Sequence, residues 1–150
     1  MTRKPQVLRL YVDTNVLVNY CTEKGNDKKS LDRVFELRNK SVLFTSSLAV
    51  VQTITQLQSN RPNRKAFSTE KTLSLLQPLL RNFTVLELTE TDLNRSFLLN
   101  NKDLEDSVHY ILCKKAKCEA ILTNNVKDFS NFTDVYKIMP QPYLVNKYLK

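Results

Sequence analysis

One glycine, Gly25, serves the whole chain of 150 residues. Loops that cradle phosphates on consecutive backbone N–H groups need several glycines, so the dinucleotide-binding and P-loop fingerprints are both excluded. Long apolar runs are also missing. No stretch approaches the roughly 20 residues that cross a bilayer. The basic start, Met1-Thr2-Arg3-Lys4-Pro5, leads into an apolar run broken by Arg9 and Asp13 without a small-residue cleavage site, so neither a membrane span nor an export signal is expected. The three cysteines, Cys21, Cys113 and Cys118, form no disulfide framework and suit a reducing cytosol. Cys113 and Cys118 lack the second ligand pair of a zinc site, and ordinary packing is expected of them. Acidic charge is the scarcer sign, with 15 Asp and Glu against 23 Lys and Arg, a formal charge of +8. That excess favours an anionic partner, either nucleic acid or an acidic protein segment. Basic residues are densest at Arg61-Pro62-Asn63-Arg64-Lys65 and at Lys114-Lys115-Ala116-Lys117. Each group reads either as a phosphate-binding surface or as a solvated face.

What is present is an alternation of strand and helix patterns. Val7-Leu8-Arg9-Leu10-Tyr11-Val12 is nearly continuous in apolar character, as in a buried strand of a parallel sheet. Val16, Leu17 and Tyr20 follow at helical spacing, and a second amphipathic segment is expected over about 30–39, beyond the Gly25-Asn26-Asp27 turn. Residues 41–45 read as a strand, and Ser46 or Ser47 can cap a helix carrying Leu48, Val51, Ile54 and Leu57. A polar loop over 59–64 precedes a helix over about 67–80, and 83–88 reads as a strand. Thr89 is placed to cap a helix to about Leu99, with Glu90 and Asp92 favourable in its first turn. A helix from Asp103 to about Lys117, a buried strand over 119–123 and an edge strand within 134–139 complete the alternation. Pro142 suits the first turn of a last helix. The pattern predicts one α/β domain over 1–150, a three-layer α/β/α arrangement around a mostly parallel sheet.

In open parallel sheets ligands bind beyond the carboxyl ends of the strands. Asp13 ends the first strand, and Asp128 lies just past the strand that ends at Thr123. Asp103 and Asp106 stand three apart, hence on one face of the first turn of their helix. Carboxylates gathered on one rim repel one another unless cations compensate them, and hard oxygen ligands suit Mg²⁺ or Mn²⁺. Such an ion polarises a phosphoryl oxygen and lowers the pKa of a bound water. The competing reading of each residue is local: Asp13 caps the next helix, and Asp103 and Asp106 complement a helix dipole. An acid-pocket phosphatase or receiver fits less well. The first wants a second aspartate where Asn15 stands, and the second wants an acidic pair where Arg3 and Lys4 stand.

Taken together, Val12-Asp13-Thr14-Asn15-Val16-Leu17, Thr45-Ser46-Ser47-Leu48, Asp103-Leu104-Glu105-Asp106-Ser107 and Ile121-Leu122-Thr123-Asn124-Asn125-Val126-Lys127-Asp128-Phe129 resemble the motifs of PIN domains, the nuclease fold of VapC-type toxins. The resemblance implies a ribonuclease that uses one or two Mg²⁺ or Mn²⁺ ions to cut single-stranded RNA, leaving a 5′-phosphate. It implies Asp13 and Asp106 as principal metal ligands, with Asp103 and Asp128 as further ligands or water-positioning groups of the catalytic set. Thr14 and Asn15 would stand behind the ligands or on the phosphate side, and Thr123 would orient the rim. Arg61, Arg64, Lys65, Lys114 and Lys115 would hold the RNA backbone. An acidic antitoxin that covers the rim and a homodimer are implied in the same way, and the cysteines add the expectation of a cytoplasmic setting. Two positions depart from the pattern. Gln52 stands where the family commonly has glutamate, and Asn125 where it often has aspartate, so the acidic role there passes to Asp128. A fold kept for binding RNA or protein, with its chemistry impaired, is the alternative these two residues raise. His109, the only histidine, reads as a structural residue or as a proton carrier.

Overall fold

The structure is a computed structural model that describes residues 7–149. The basic start of the chain, including Arg3 and Lys4, lies outside the described residues. Five strands form one sheet: β1 (Leu8–Val12), β2 (Ser41–Ser46), β3 (Thr84–Leu86), β4 (Ala120–Leu122) and β5 (Tyr136–Ile138). Their order is β3-β2-β1-β4-β5, and every pairing is parallel. The helices are α1 (Thr14–Thr22), α2 (Asp27–Glu36), α3 (Ser47–Leu57), α4 (Thr69–Leu80), α5 (Glu90–Leu98), α6 (Leu104–Lys115) and α7 (Pro142–Tyr148), with a 3-10 turn at Val126–Phe129. This is the three-layer α/β/α domain that the alternation predicts.

Side chains alternate across the strands, so the sheet has a core on each face. Leu10 and Val12 point into one core with Leu43, Ala120, Leu122 and Ile138, covered by α1, α2, α3, α4 and α7. Tyr11, Phe44 and Ile121 point into the other, closed by Leu112 and Cys113 of α6 and by Phe129 and Phe132. Cys113 and Cys118 are both buried here, with the Cys113 thiol donating to the Cys118 carbonyl, so both thiols pack as core. Among the described residues no helix is long and apolar enough to cross a membrane.

Several boundaries differ from the expected ones by a few residues, and two of them have a local reason. Helix α2 starts at Asp27 rather than near Ser30, because Glu23 and Gly25, both at positive φ (55 and 66), turn the chain within a few residues of α1. Asp27 then sits in the first turn, where the helix dipole favours a carboxylate. Strand β3 ends at Leu86 rather than Leu88, because the Leu88 amide donates to the Ser47 hydroxyl and leaves the ladder.

Candidate active site

Strand order reverses between β1 and β4, since β2 and β3 extend the sheet to one side of β1 and the chain then returns to its other side. At such a switch point the loops beyond neighbouring strands part, and a crevice opens. Asp13 follows β1 at this point and is only 5% exposed. Its carboxylate caps α1: one oxygen accepts the Thr14 amide at 2.8 Å. The other accepts the Asn15 side-chain amide and the Thr123 hydroxyl, each at 2.8 Å. The capping reading of Asp13 therefore holds. The residue also lines a cleft of about 350 Å³ together with Gln52, Glu105, Asp106, His109 and Asn125.

Helix α3 forms one wall of that cleft and α6 the other. Gln52 bridges them, its amide nitrogen donating to Glu105 at 3.0 Å. A carboxylate only accepts, so the amide oxygen of Gln52 turns the other way. There it accepts the Thr14 hydroxyl at 2.7 Å and lies 3.0 Å from His109 Nε2. With Nε2 donating to that oxygen, Nδ1 is left as an acceptor, and Tyr11 Oη lies 2.7 Å from it. Ser46 Oγ, which receives the Ala49 amide as the cap of α3, supplies its own proton to Tyr11 at 2.8 Å. Every member of this buried chain is satisfied with His109 neutral. Burial holds the imidazole below its ordinary pKa against the pull of Asp13, 3.8 Å away. His109 thus packs as a structural residue while its edge faces the cleft.

Asp106 lacks what Asp13 has. Its Oδ2 is buried without a hydrogen-bond partner. Burial first, then the charges of Asp103, Asp128 and Asp13, push its carboxyl up to about 7. Asp103 caps α6 through the Asp106 amide at 3.1 Å and is exposed, as is Asp128 on the 3-10 turn. Neither lines the cleft; both act on Asp106 through charge. Among the described residues no group of three or more His, Cys, Asp or Glu side chains is drawn together as a metal-binding set. Mg²⁺ does not require such a set, since it keeps several waters and takes one or two carboxylates plus substrate phosphate. A buried, orphaned carboxylate oxygen sharing a cleft with Asp13 fits that mode, with Asp13 and Asp106 as the pair.

A match to the PIN domain family spans residues 9–127. The chain belongs to the PIN domain family. Ribonuclease VapC1 from Aquifex aeolicus (strain VF5) is 30% identical over 129 residues, 81% of this chain and 85% of that protein. Among solved structures, VapBC2 from Rickettsia felis, bound to a DNA fragment from its promoter, is similar with a TM-score of 0.67 at 13% identity, over 88% of this chain and 98% of that one. VapBC-1 from nontypeable Haemophilus influenzae is similar with a TM-score of 0.66 at 16% identity, over 89% and 98%. At those identities the two structures share the fold of this PIN domain.

The basic residues of this PIN domain divide by what already engages them. Arg64 gives its guanidinium to the Gln56 and Leu57 carbonyls at the end of α3 and lies over Phe67. Lys114 pairs with Asp134, and Lys115 with the buried Asp92, each at 2.8 Å. Arg61 and Lys65 are exposed. Arg61 lines a second cleft with Lys24 and Gln56, and Gln56 also lines the acidic one, so the two are adjacent. Sequence patterns give Glu105, Tyr11 and Ser46 no part in the site, because the contacts that bring them in, Gln52–Glu105, Tyr11–His109 and Tyr11–Ser46, join residues 53, 98 and 35 apart in the chain. A local signal exists only for Glu105, which lies between Asp103 and Asp106.

Proposed function

We propose that this PIN domain is a metal-dependent endoribonuclease acting on single-stranded RNA, and the toxin of a type II toxin–antitoxin pair in the cytoplasm. The observation that carries the reading is the orphaned, buried oxygen of Asp106 in one cleft with Asp13 at the switch point of the sheet. Asp13 and Asp106 would hold Mg²⁺ or Mn²⁺, which when bound polarises a phosphoryl oxygen and activates a water. The chain's own residues supply the rest. Thr14, Asn15 and Thr123 hold Asp13 in one orientation by three hydrogen bonds. Asp103 and Asp128 add negative potential that draws a cation toward Asp106. Gln52 holds α3 and α6 apart at a fixed distance through Glu105 and His109, in place of an acidic ligand. Asn125 stands at the lip. The adjacent cleft with Lys24 and Arg61 continues the path of an RNA backbone. An acidic antitoxin segment would compete for that basic path, and the active species would be a homodimer.

The test is cleavage of end-labelled single-stranded RNA in Mn²⁺ or Mg²⁺, with an EDTA lane and an Asp13→Asn, Asp106→Asn double variant. Cleavage that disappears with chelator and in the variant is the expected result. Intact RNA in every lane across several substrates, from folded protein, overturns the proposal. Neutral Gln52 and the absence of a three-carboxylate set among the described residues favour a second reading, a PIN fold that binds RNA without cutting it. That reading predicts gel-shifted, uncut RNA with or without the metal.

A further inference from the structure

Asp27 is a buried carboxylate that lies outside the cleft. It is 3% exposed, although its place in the first turn of α2 would suit a solvated acid. One of its oxygens, Oδ2, accepts two side-chain amides: Asn19 at 3.1 Å and Asn124 at 2.7 Å. The Asn124 amide nitrogen also lies 3.0 Å from Asn15 Oδ1, and the Asn124 backbone N–H donates to that same oxygen at 3.0 Å. Asn15 in turn donates to Asp13 Oδ2 at 2.8 Å.

The order of these groups has a direction. An Asn side chain presents an oxygen at one end and an NH₂ at the other, and its neighbours decide which way it turns. Asp27 only accepts, so Asn124 must turn its NH₂ inward. The second hydrogen of that NH₂ then meets the oxygen of Asn15, whose own NH₂ is left for Asp13. Reversing either amide would set two acceptors against each other. The backbone bond from Asn124 to Asn15 depends equally on where the loop after β4 holds residue 124, and Asp27 grips that residue's side chain.

We infer that Asp27 is a positioning residue, which sets Asn15, and through it the Asp13 carboxylate, by way of Asn124. For catalysis the inference rests on the nuclease reading above; the hydrogen-bond relay itself does not. Because both amides reach the same oxygen of Asp27, Asp27→Asn keeps an acceptor there and conserves the relay, whereas Asp27→Leu keeps the bulk and removes it. Asn124→Ala breaks the same link at a half-buried position and serves if Asp27→Leu fails to fold. Thr89→Ala, at the cap of α5, whose residues do not line the cleft, controls for loss of stability alone.

The primary readout is the side-chain amide pair of Asn15 in ¹H–¹⁵N spectra of the metal-free protein, assigned by its loss in Asn15→Ala. We expect the pair unmoved in Asp27→Asn and Thr89→Ala, and displaced in Asp27→Leu and Asn124→Ala, neither of which touches Asp13. In cleavage assays the two disrupting variants should lose about 10-fold in kcat, with the RNA KM within about twofold and half-saturating Mn²⁺ raised, as for residues that orient a metal ligand. An Asn15 pair unmoved in both disrupting variants overturns the inference. A wild-type protein that cuts no RNA overturns the nuclease reading instead, and the spectra still decide the relay.

Discussion

Asp106 is the residue whose ionisation sets the behaviour of the cleft. Its carboxyl is pushed up from 3.8 to about 7, so the folded protein binds this proton more tightly than the unfolded chain does. The corresponding stability is fully present below pH ~4 and is lost as pH rises through about 7, by linkage. Metal-free protein should therefore melt at progressively lower temperature between those limits. Asp106→Asn, which carries no charge to desolvate, should flatten that slope and melt higher than wild type above pH 7. Added Mn²⁺ should raise the wild-type Tm at pH 8 and leave the variant unchanged, because a ligand that binds only the folded state stabilises it by mass action. Thermal melts by circular dichroism in EDTA and in Mn²⁺ check all three. Parallel pH slopes for the two proteins would show that Asp106 does not carry the charge strain. The position of this residue was legible from its spacing after Asp103 and from the family motif. Its orphaned oxygen was not, because what surrounds it comes from elements distant in sequence.

Caps and strand ends, rather than the apolar patterns alone, decide where each element presents its side chains. Asp13, Ser46, Thr89 and Asp103 all cap helices in the structure, as their side-chain chemistry and the runs that follow them indicate. Thr89 and Asp92 form a reciprocal capping box on α5, and neither lines the cleft. Thr89→Ala should thus cost about 1 kcal/mol of stability with cleavage per folded molecule unchanged. Ser46 does two jobs, capping α3 and donating to Tyr11 behind His109. Ser46→Ala should lose the cap and leave a buried hydroxyl short of a donor, about 2 kcal/mol or more in all, and should lower kcat as Gln52 loosens. Urea melts paired with cleavage rates distinguish the two; equal losses in kcat would remove Ser46 from any part in the site. The alternation of strands and helices and the starts of α3, α5 and α6 followed from such local signals; the order of the strands did not, since no local pattern records which strands pair. The Gln52–Glu105 bridge, which joins α3 to α6, did not, because no local pattern records a contact between residues 53 apart.

The molecule as a whole carries two opposed fields. Asp13, Glu105 and Asp106 line one cleft at the switch point, while the chain bears a net +8. The net charge favours an anionic polymer overall while the carboxylates of the cleft repel it, so such a backbone would be led in by cations beside the acids. Arg61 with Lys24 occupies that place, and Lys65 is exposed in the same loop region. Arg64, Lys114 and Lys115 already bond within the fold. Binding of a fluorescent single-stranded RNA to the Asp13→Asn, Asp106→Asn protein should weaken log-linearly with salt, with a slope of about −0.7 per phosphate neutralised. Arg61→Glu with Lys65→Glu should flatten that slope by about one to two phosphate contacts. Lys114→Gln, whose ammonium already pairs with Asp134, should leave it unchanged. A slope equally insensitive to both sets would mean that RNA enters the cleft by another face, and that the positive charge of this PIN domain serves a protein partner instead.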